Sequence, residues 1–173
     1  SCERSLMLYK LFNTKAGYSM VLLRLPLAVS MIVHGYGKVM NIAGFINYCD
    51  SLGIGPVGAY LGAAGEFLGG LGILFGCLSR IAGFGVACTM LVAMLSRHLF
   101  SGYGYLMNWH GALPYGAEGY EFHTLAIGMA LTVMLAGPGV LSVDYLIAKQ
   151  MEKSQVKELR SMVEQQPTPV HSY

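Results

Sequence analysis

The chain has 173 residues, of which 54% are hydrophobic and 12% charged, with a formal net charge of +2 at pH 7. A soluble domain carries about twice that charged fraction. With a mean hydropathy of +0.52, the composition excludes a soluble enzyme and predicts a polytopic membrane protein. The basic residues gather mainly toward the two ends, so nucleic acid is not an expected partner, whereas the lipid bilayer is. The four cysteines, Cys2, Cys49, Cys77 and Cys88, form no CxxC pair and no metal-ligand spacing. Neither a metal site nor a disulfide framework is expected. The cysteines read as inert small residues, with Cys49 the most accessible of them.

Residues 1–16 are amphipathic, with Leu6, Met7, Tyr9, Leu11 and Phe12 set among charges, and are expected to lie at the membrane surface. They hold Glu3, Arg4, Lys10 and Lys15 without a long apolar core, so no cleavable signal is expected. A first span runs from about Gly17 to His34 and contains Arg24 and Pro26; the proline should kink the helix or free a carbonyl. A loop over residues 39–57 closes on LGIGP. The second span, Gly58 to Leu78, carries glycines at 58, 62, 65, 69, 72 and 76, a 4-3-4-3-4 spacing that places them on one helical face. In lipid such a seam lets neighbouring helices approach closely. A single carboxylate, Glu66, interrupts this span at the edge of the seam.

A short Ser79-Arg80 link leads to a third span, about Ile81 to Leu99. The loop 100–119 that follows carries tyrosines and the single tryptophan, Trp109, residues that favour the membrane interface. The fourth span, about Tyr120 to Ala136, stops at GPG. Its period predicts an inward stripe of Glu118, Glu121, Leu125, Gly128, Thr132 and Leu135, with His123 directed elsewhere. Val140 to about Gln165 reads as an amphipathic helix, and 166–173 as a disordered tail. The expected fold is an all-α membrane protein, an up-down-up-down bundle of four transmembrane helices with a C-terminal amphipathic helix. In segments, this is an amphipathic 1–16, a transmembrane domain 17–137, an amphipathic 138–165 and the tail.

Orientation follows from the cations. Arg4, Lys10, Lys15, Arg80, Lys149, Lys153, Lys157 and Arg160 fall at the termini and the short turn, against Lys38 and Arg97 at the other two loops. Both termini are therefore expected in the cytoplasm.

On that topology the ionisable groups collect toward the outer half. His34 and Lys38 stand one turn apart, Arg97 and His98 end the third span, and Glu121 opens the fourth. A carboxylate inside a membrane is costly unless paired. Arg24, the other intramembrane charge, is the expected partner of Glu66. Each group also has a plainer reading. Arg24 with Glu66 would be a structural pair fixing helix register, and Lys38 and Arg97 interfacial anchors. Haem or metal on His34 and His98 has no supporting motif.

These residues together resemble the DoxX family of small four-helix membrane proteins. The likeness is carried by RLPLAVSMIVHGYGK, LGIGP, GEFLGGLGILFGCLSR, the Glu121 helix start and GPGVLSVD, over about residues 17–146. The resemblance implies a bacterial inner-membrane protein tied to quinone- or sulfur-linked redox, with quinone the candidate ligand, or else an accessory or assembly subunit of a larger membrane complex. A homo-oligomer is a further candidate assembly. It marks Glu66, Arg24 and Glu121 as candidate catalytic positions and His34, Lys38 and His98 as candidate ligand-binding ones. Electrons would come from a partner protein. Small-solute transport is disfavoured by the small number of spans and the absence of an inverted repeat.

Overall fold

A computed structural model describes residues 9, 10, 12, 17–99 and 120–165, and among these every regular element is helical. We label them α1 (Ser19–Met40), α2 (Ile42–Ser51), α3 (Gly55–Phe75), α4 (Ser79–Ala93), α5 (Glu121–Ala136) and α6 (Val143–Glu164); α4 runs on into a π-helical turn, Met94–Leu99. Three stretches are long and apolar enough to cross a membrane: Ser19–Met40, Gly55–Phe75 and Ser79–Arg97. The apolar α5, at 16 residues, is shorter than these three.

Each apolar helix packs antiparallel to the one before it. A Cβ on Gly35 of α1 would meet the Phe67 backbone of α3 at 2.5–2.7 Å, while one on Gly70 would meet Ile32 N at 3.0 Å. Rising numbers in one helix thus meet falling numbers in the other, at a separation only glycine allows. The glycine seam faces α4: Gly65 lies against Thr89, and Gly69 against Val86, where a Cβ would come within 2.8 Å of Cγ2. Helix α5 continues the pattern on α4, with Gly83 opposite Ala130 O at 2.7 Å from a built Cβ. One apolar cluster unites these four helices, with Leu27, Met31, Ile73, Val86, Met90 and Ala130 among its buried members.

The structure departs from the sequence reading in three places. The first span extends to Met40, so His34, expected to close the span, stands within the helix, with Lys38 in its last turn. The segment 39–57 contains α2, whose N-cap Asn41 accepts from Gly44 N at 3.2 Å. In α5 the buried positions are Ala126, Ala130 and Val133, while Leu125 and Leu135 are 65% and 73% exposed. From Leu125 through Gly128, Thr132 and Leu135 the expected inward stripe is exposed, while Glu121 is half-buried. The small Ala positions let α5 lie close to α4, and the large leucines turn away. The readings of 1–8, of the aromatic loop with Trp109 and Glu118, and of the tail lie outside the described residues.

Candidate functional site

The last turn of α1, the middle of α3 and the face of α2 meet at one buried ion pair. Lys38 Nζ donates to Glu66 Oε1, and Glu66 is 1% exposed against 27% for the lysine side chain. Phe45 of α2 holds Lys38 from the other side, with Nζ 4.9 Å from its ring centroid, a cation–π contact. Phe45 in turn stacks on Tyr48 at 6.3 Å. The second carboxylate oxygen, Glu66 Oε2, is buried and accepts from no group. That oxygen is an unfilled acceptor in low dielectric, a position that natural folds rarely leave without a purpose.

Beside the pair opens a cavity of about 490 Å³, walled by α2, α3 and α4, with Arg97 of the π turn and His123 of α5 also among its lining residues. The hydroxyl hydrogens on the α4 side are already committed: Thr89 Oγ1 donates to Gly85 O at 3.0 Å and Ser96 Oγ to Val92 O at 2.7 Å. Cys49 is 3% exposed and lines the same cavity. Burial pushes its thiol above the ordinary thiol value, against the pull of Lys38 and with a further push from Asp50 and Glu66. Its expected accessibility is therefore corrected, because α2 turns it inward.

The expected Arg24–Glu66 pair is not formed. Fourteen residues separate Arg24 from Lys38 along α1, about 21 Å at the helical rise, and Glu66 is matched to the Lys38 level. Arg24, 3% exposed, instead serves the opposite end, where Nη2 donates to Leu141 O. There Asp144 accepts from Leu78 N and Ser79 N at 2.8 Å and from Ser79 Oγ at 2.7 Å, capping α4. Asp144 N returns a bond to Gly76 O at 2.9 Å, and Gly76 takes φ +64° to end α3 with Cys77 N bonded to Gly72 O. Arg80 Nη1 reaches Met134 O at 2.6 Å and Leu135 O at 2.9 Å, a cation on the last carbonyls of α5. This end is a knot that ties α6 to the α3–α4 turn.

The other candidates scatter. His34 is exposed and packs on Phe122, with ring centroids 5.5 Å apart. Glu121 does not line the cavity, although its Oε2 is buried without a partner; His123, the residue the α5 stripe excluded, does line it. The His98 side chain lies outside the described residues. Among the described residues no group of three or more His, Cys, Asp or Glu could hold a metal ion. Sequence reasoning missed α2 altogether. Its signal was present: Phe45, Tyr48, Cys49 and Leu52 recur at i, i+3, i+4 and i+7, and all four line the cavity.

Three long apolar helices, packed on glycine and enclosing a paired charge beside an apolar cavity, define a polytopic helical membrane protein. The chain belongs to the DoxX family, whose profile matches residues 19–99. It is similar to "Inner membrane protein YqjF" of Escherichia coli (strain K12), at 31% identity over 73% of this chain and 90% of the relative. It is also similar to "Putative oxidoreductase CatD" of Bacillus subtilis (strain 168), at 27% identity over 79% of this chain and 92% of that one. No solved structure matches the chain significantly.

Proposed function

We propose that this is a bacterial inner-membrane subunit that binds the head group of a small redox-active quinone in the cavity beside Glu66. The observation that carries the reading is the divided carboxylate of a cavity-lining residue: Glu66 Oε1 holds Lys38, while Oε2 is buried with no hydrogen-bond partner. A quinone is apolar apart from two oxygens that accept as carbonyls and donate once reduced to hydroxyls. Lys38 Nζ is placed to donate to one such oxygen, and Glu66 Oε2 to accept from the hydroxyl of the reduced form. Reduction of a quinone to a quinol takes two electrons and two protons. A redox-active partner protein supplies the two electrons; Glu66 with Lys38 hands over one proton next to the ligand, and the second comes from the aqueous phase. The printed name of the Bacillus subtilis relative agrees with a redox role.

On this reading α5 is the fourth span and completes an up-down-up-down bundle over residues 17–137. Helix α6, within 138–165, lies on the cytoplasmic side with both termini, which puts the cavity toward the outer leaflet. The ligand enters from the lipid.

The test is binding of 2-methyl-1,4-naphthoquinone to the purified full chain in nanodiscs, by equilibrium dialysis. Wild type is expected to bind saturably. Glu66→Gln and Lys38→Met are expected to weaken binding about tenfold or more while far-UV dichroism stays helical. Absence of saturable binding by the wild type sinks the proposal.

A second reading, an accessory or assembly subunit, is favoured by α6, where Val156, Leu159, Met162 and Val163 are 46–69% exposed. Copurification of one large partner, lost on truncation after residue 151, together with no quinone binding, would select it.

A further inference from the structure

We propose that the slot between α3 and α4 at Gly62 opens the cavity sideways to the lipid, and that the ligand is a quinone with a long apolar tail that leaves through this slot. The inference rests on the quinone reading and deepens it by adding the tail and the route the tail takes. It starts from the glycine seam, which closes α3 on α4 along only part of its length. Toward the turn between them, a Cβ on Gly72 would stand 2.9 Å from Ala82 Cβ, and one on Gly69 2.8 Å from Val86 Cγ2. A Cβ on Gly65 would overlap Thr89 Oγ1. At Gly62 the nearest α4 atom is Thr89 Cγ2 at 4.0 Å, and at Gly58 no atom of the described α4 residues comes within 4 Å. The two helices therefore part from Gly65 toward Gly58. Phe45 of α2 takes up some of the gap, 3.6 Å from a Cβ built on Gly62, and both Gly58 and Gly62 line the cavity.

A row of small residues makes no site alone. Here it borders a cavity that is also lined by Glu66, a buried carboxylate whose Oε2 has no hydrogen-bond partner. The lining changes character from inside to outside. Leu61 of α3 and Cys88 and Val92 of α4 line the same cavity, yet Leu61 and Val92 are 67% and 48% exposed and Cys88 is exposed as well. Leu61 adjoins Gly62 and Cys88 adjoins Thr89, so these apolar lips flank the place where the helices part. Both helices are long and apolar enough to span, and the outward residues of such helices meet acyl chains as apolar as leucine itself. A cavity of about 490 Å³ encloses a compact ring system. A long chain attached to that ring needs an exit, and the apolar lips supply one that leads into lipid. The ligand sits head inward, with its oxygens toward Lys38 and Glu66 and its tail between Leu61 and Val92.

The test uses 2-methyl-3-farnesyl-1,4-naphthoquinone with a diazirine on the first isoprene unit of its tail. It is photolysed with the full chain in nanodiscs and the label is mapped by peptide mass spectrometry. Label is expected on the α3 peptide holding Leu61 and Gly62 and on the α4 peptide holding Cys88 to Val92, and excess tail-less 2-methyl-1,4-naphthoquinone should displace it. Gly62→Leu fills the slot and should weaken binding of the tailed quinone about tenfold. Gly62→Ala adds a methyl that meets only ordinary contacts at 3.6–4.0 Å and should bind as wild type does. The wild-type label map decides the matter even where Gly62→Leu fails to fold. Tail label on α1 or α5, with the tail-less quinone still binding saturably, overturns the portal and leaves the quinone reading standing. Label at the slot that the tail-less quinone does not displace marks a seat for acyl chains and also overturns it. If the tail-less quinone does not bind at all, the quinone reading fails and the portal with it.

Discussion

Replacing Lys38 by methionine keeps the length and apolar stem of the side chain and removes only the charge. Glu66 is then left 1% exposed with neither oxygen partnered. Removing one member of a buried ion pair costs about 3–5 kcal/mol, because the remaining charge is no longer compensated. Lys38 is itself 27% exposed, so solvent already weakens the pair and the lower end of the range, about 3 kcal/mol, applies. For a chain of this size that corresponds to a fall in melting temperature of about 6–12 °C. The assay is thermal unfolding of the detergent-solubilised chain followed by helical dichroism, on Lys38→Met, Glu66→Gln and the double variant. The double variant leaves no buried charge and should recover most of the loss, giving a coupling energy of about 2–3 kcal/mol. Additive effects, with coupling below about 0.5 kcal/mol, would refute the pair as the structure draws it. The same cycle on Arg24 and Glu66 should give no coupling, since Arg24 belongs to the other end of α1.

Three further outcomes follow from the packing and the knot. Gly35→Ala places a Cβ 2.5 Å from Phe67 N, a backbone atom that cannot move aside, and should cost about 1–3 kcal/mol; Gly37→Ala meets nothing within 4 Å and should be neutral or stabilising in the same unfolding assay. Asp144→Ala strips the cap from α4, leaving Leu78 N and the Ser79 donors without their acceptor, and should lower stability by about 3 kcal/mol; Asp144→Asn keeps an acceptor and should lose about half of that. The Cys49 thiol, raised by burial, should alkylate with a midpoint above the pH near 8.5 of an ordinary thiol, and detergent denaturation should move the midpoint down. The folded state holds that proton more tightly, so above the ordinary thiol value the unfolded chain loses it first and stability should fall as pH rises. A wild-type midpoint at or below that of a free thiol would remove the burial argument.

Membrane character was legible in composition alone, and the helix bounds of α3 and α4 in the glycine seam and the short turn between them. The seam works because spacing on one helix states which face comes close, and Gly65 and Gly69 do meet α4. Charge pairing was not legible in the same way. Arg24 and Lys38 sit on one helix, and either could have answered Glu66. The choice depends on the relative translation of α1 and α3, which Gly35 and Gly70 set by contacts that no local pattern reports. Arg24 then finds the carbonyl of Leu141, beyond the last apolar helix, a partner far along the chain. The α5 stripe failed for a related reason. Small residues, Ala126 and Ala130, let α5 approach α4 closely, so the large leucines turn away from the packed face. Cys49 and His123 were passed over because α2 was read as loop and the α5 face was inverted; both errors hid one cavity.

The most direct test of the central claim is where a quinone touches the chain. A photoreactive azido-naphthoquinone, cross-linked to the full chain in nanodiscs and mapped by peptide mass spectrometry, should label the cavity walls, on peptides containing Phe45–Cys49 and Thr89–Arg97. Excess 2-methyl-1,4-naphthoquinone should compete the label away, and Glu66→Gln should diminish it. Labelling spread over the outward faces of α1 and α5, unmoved by competitor, would contradict the claim.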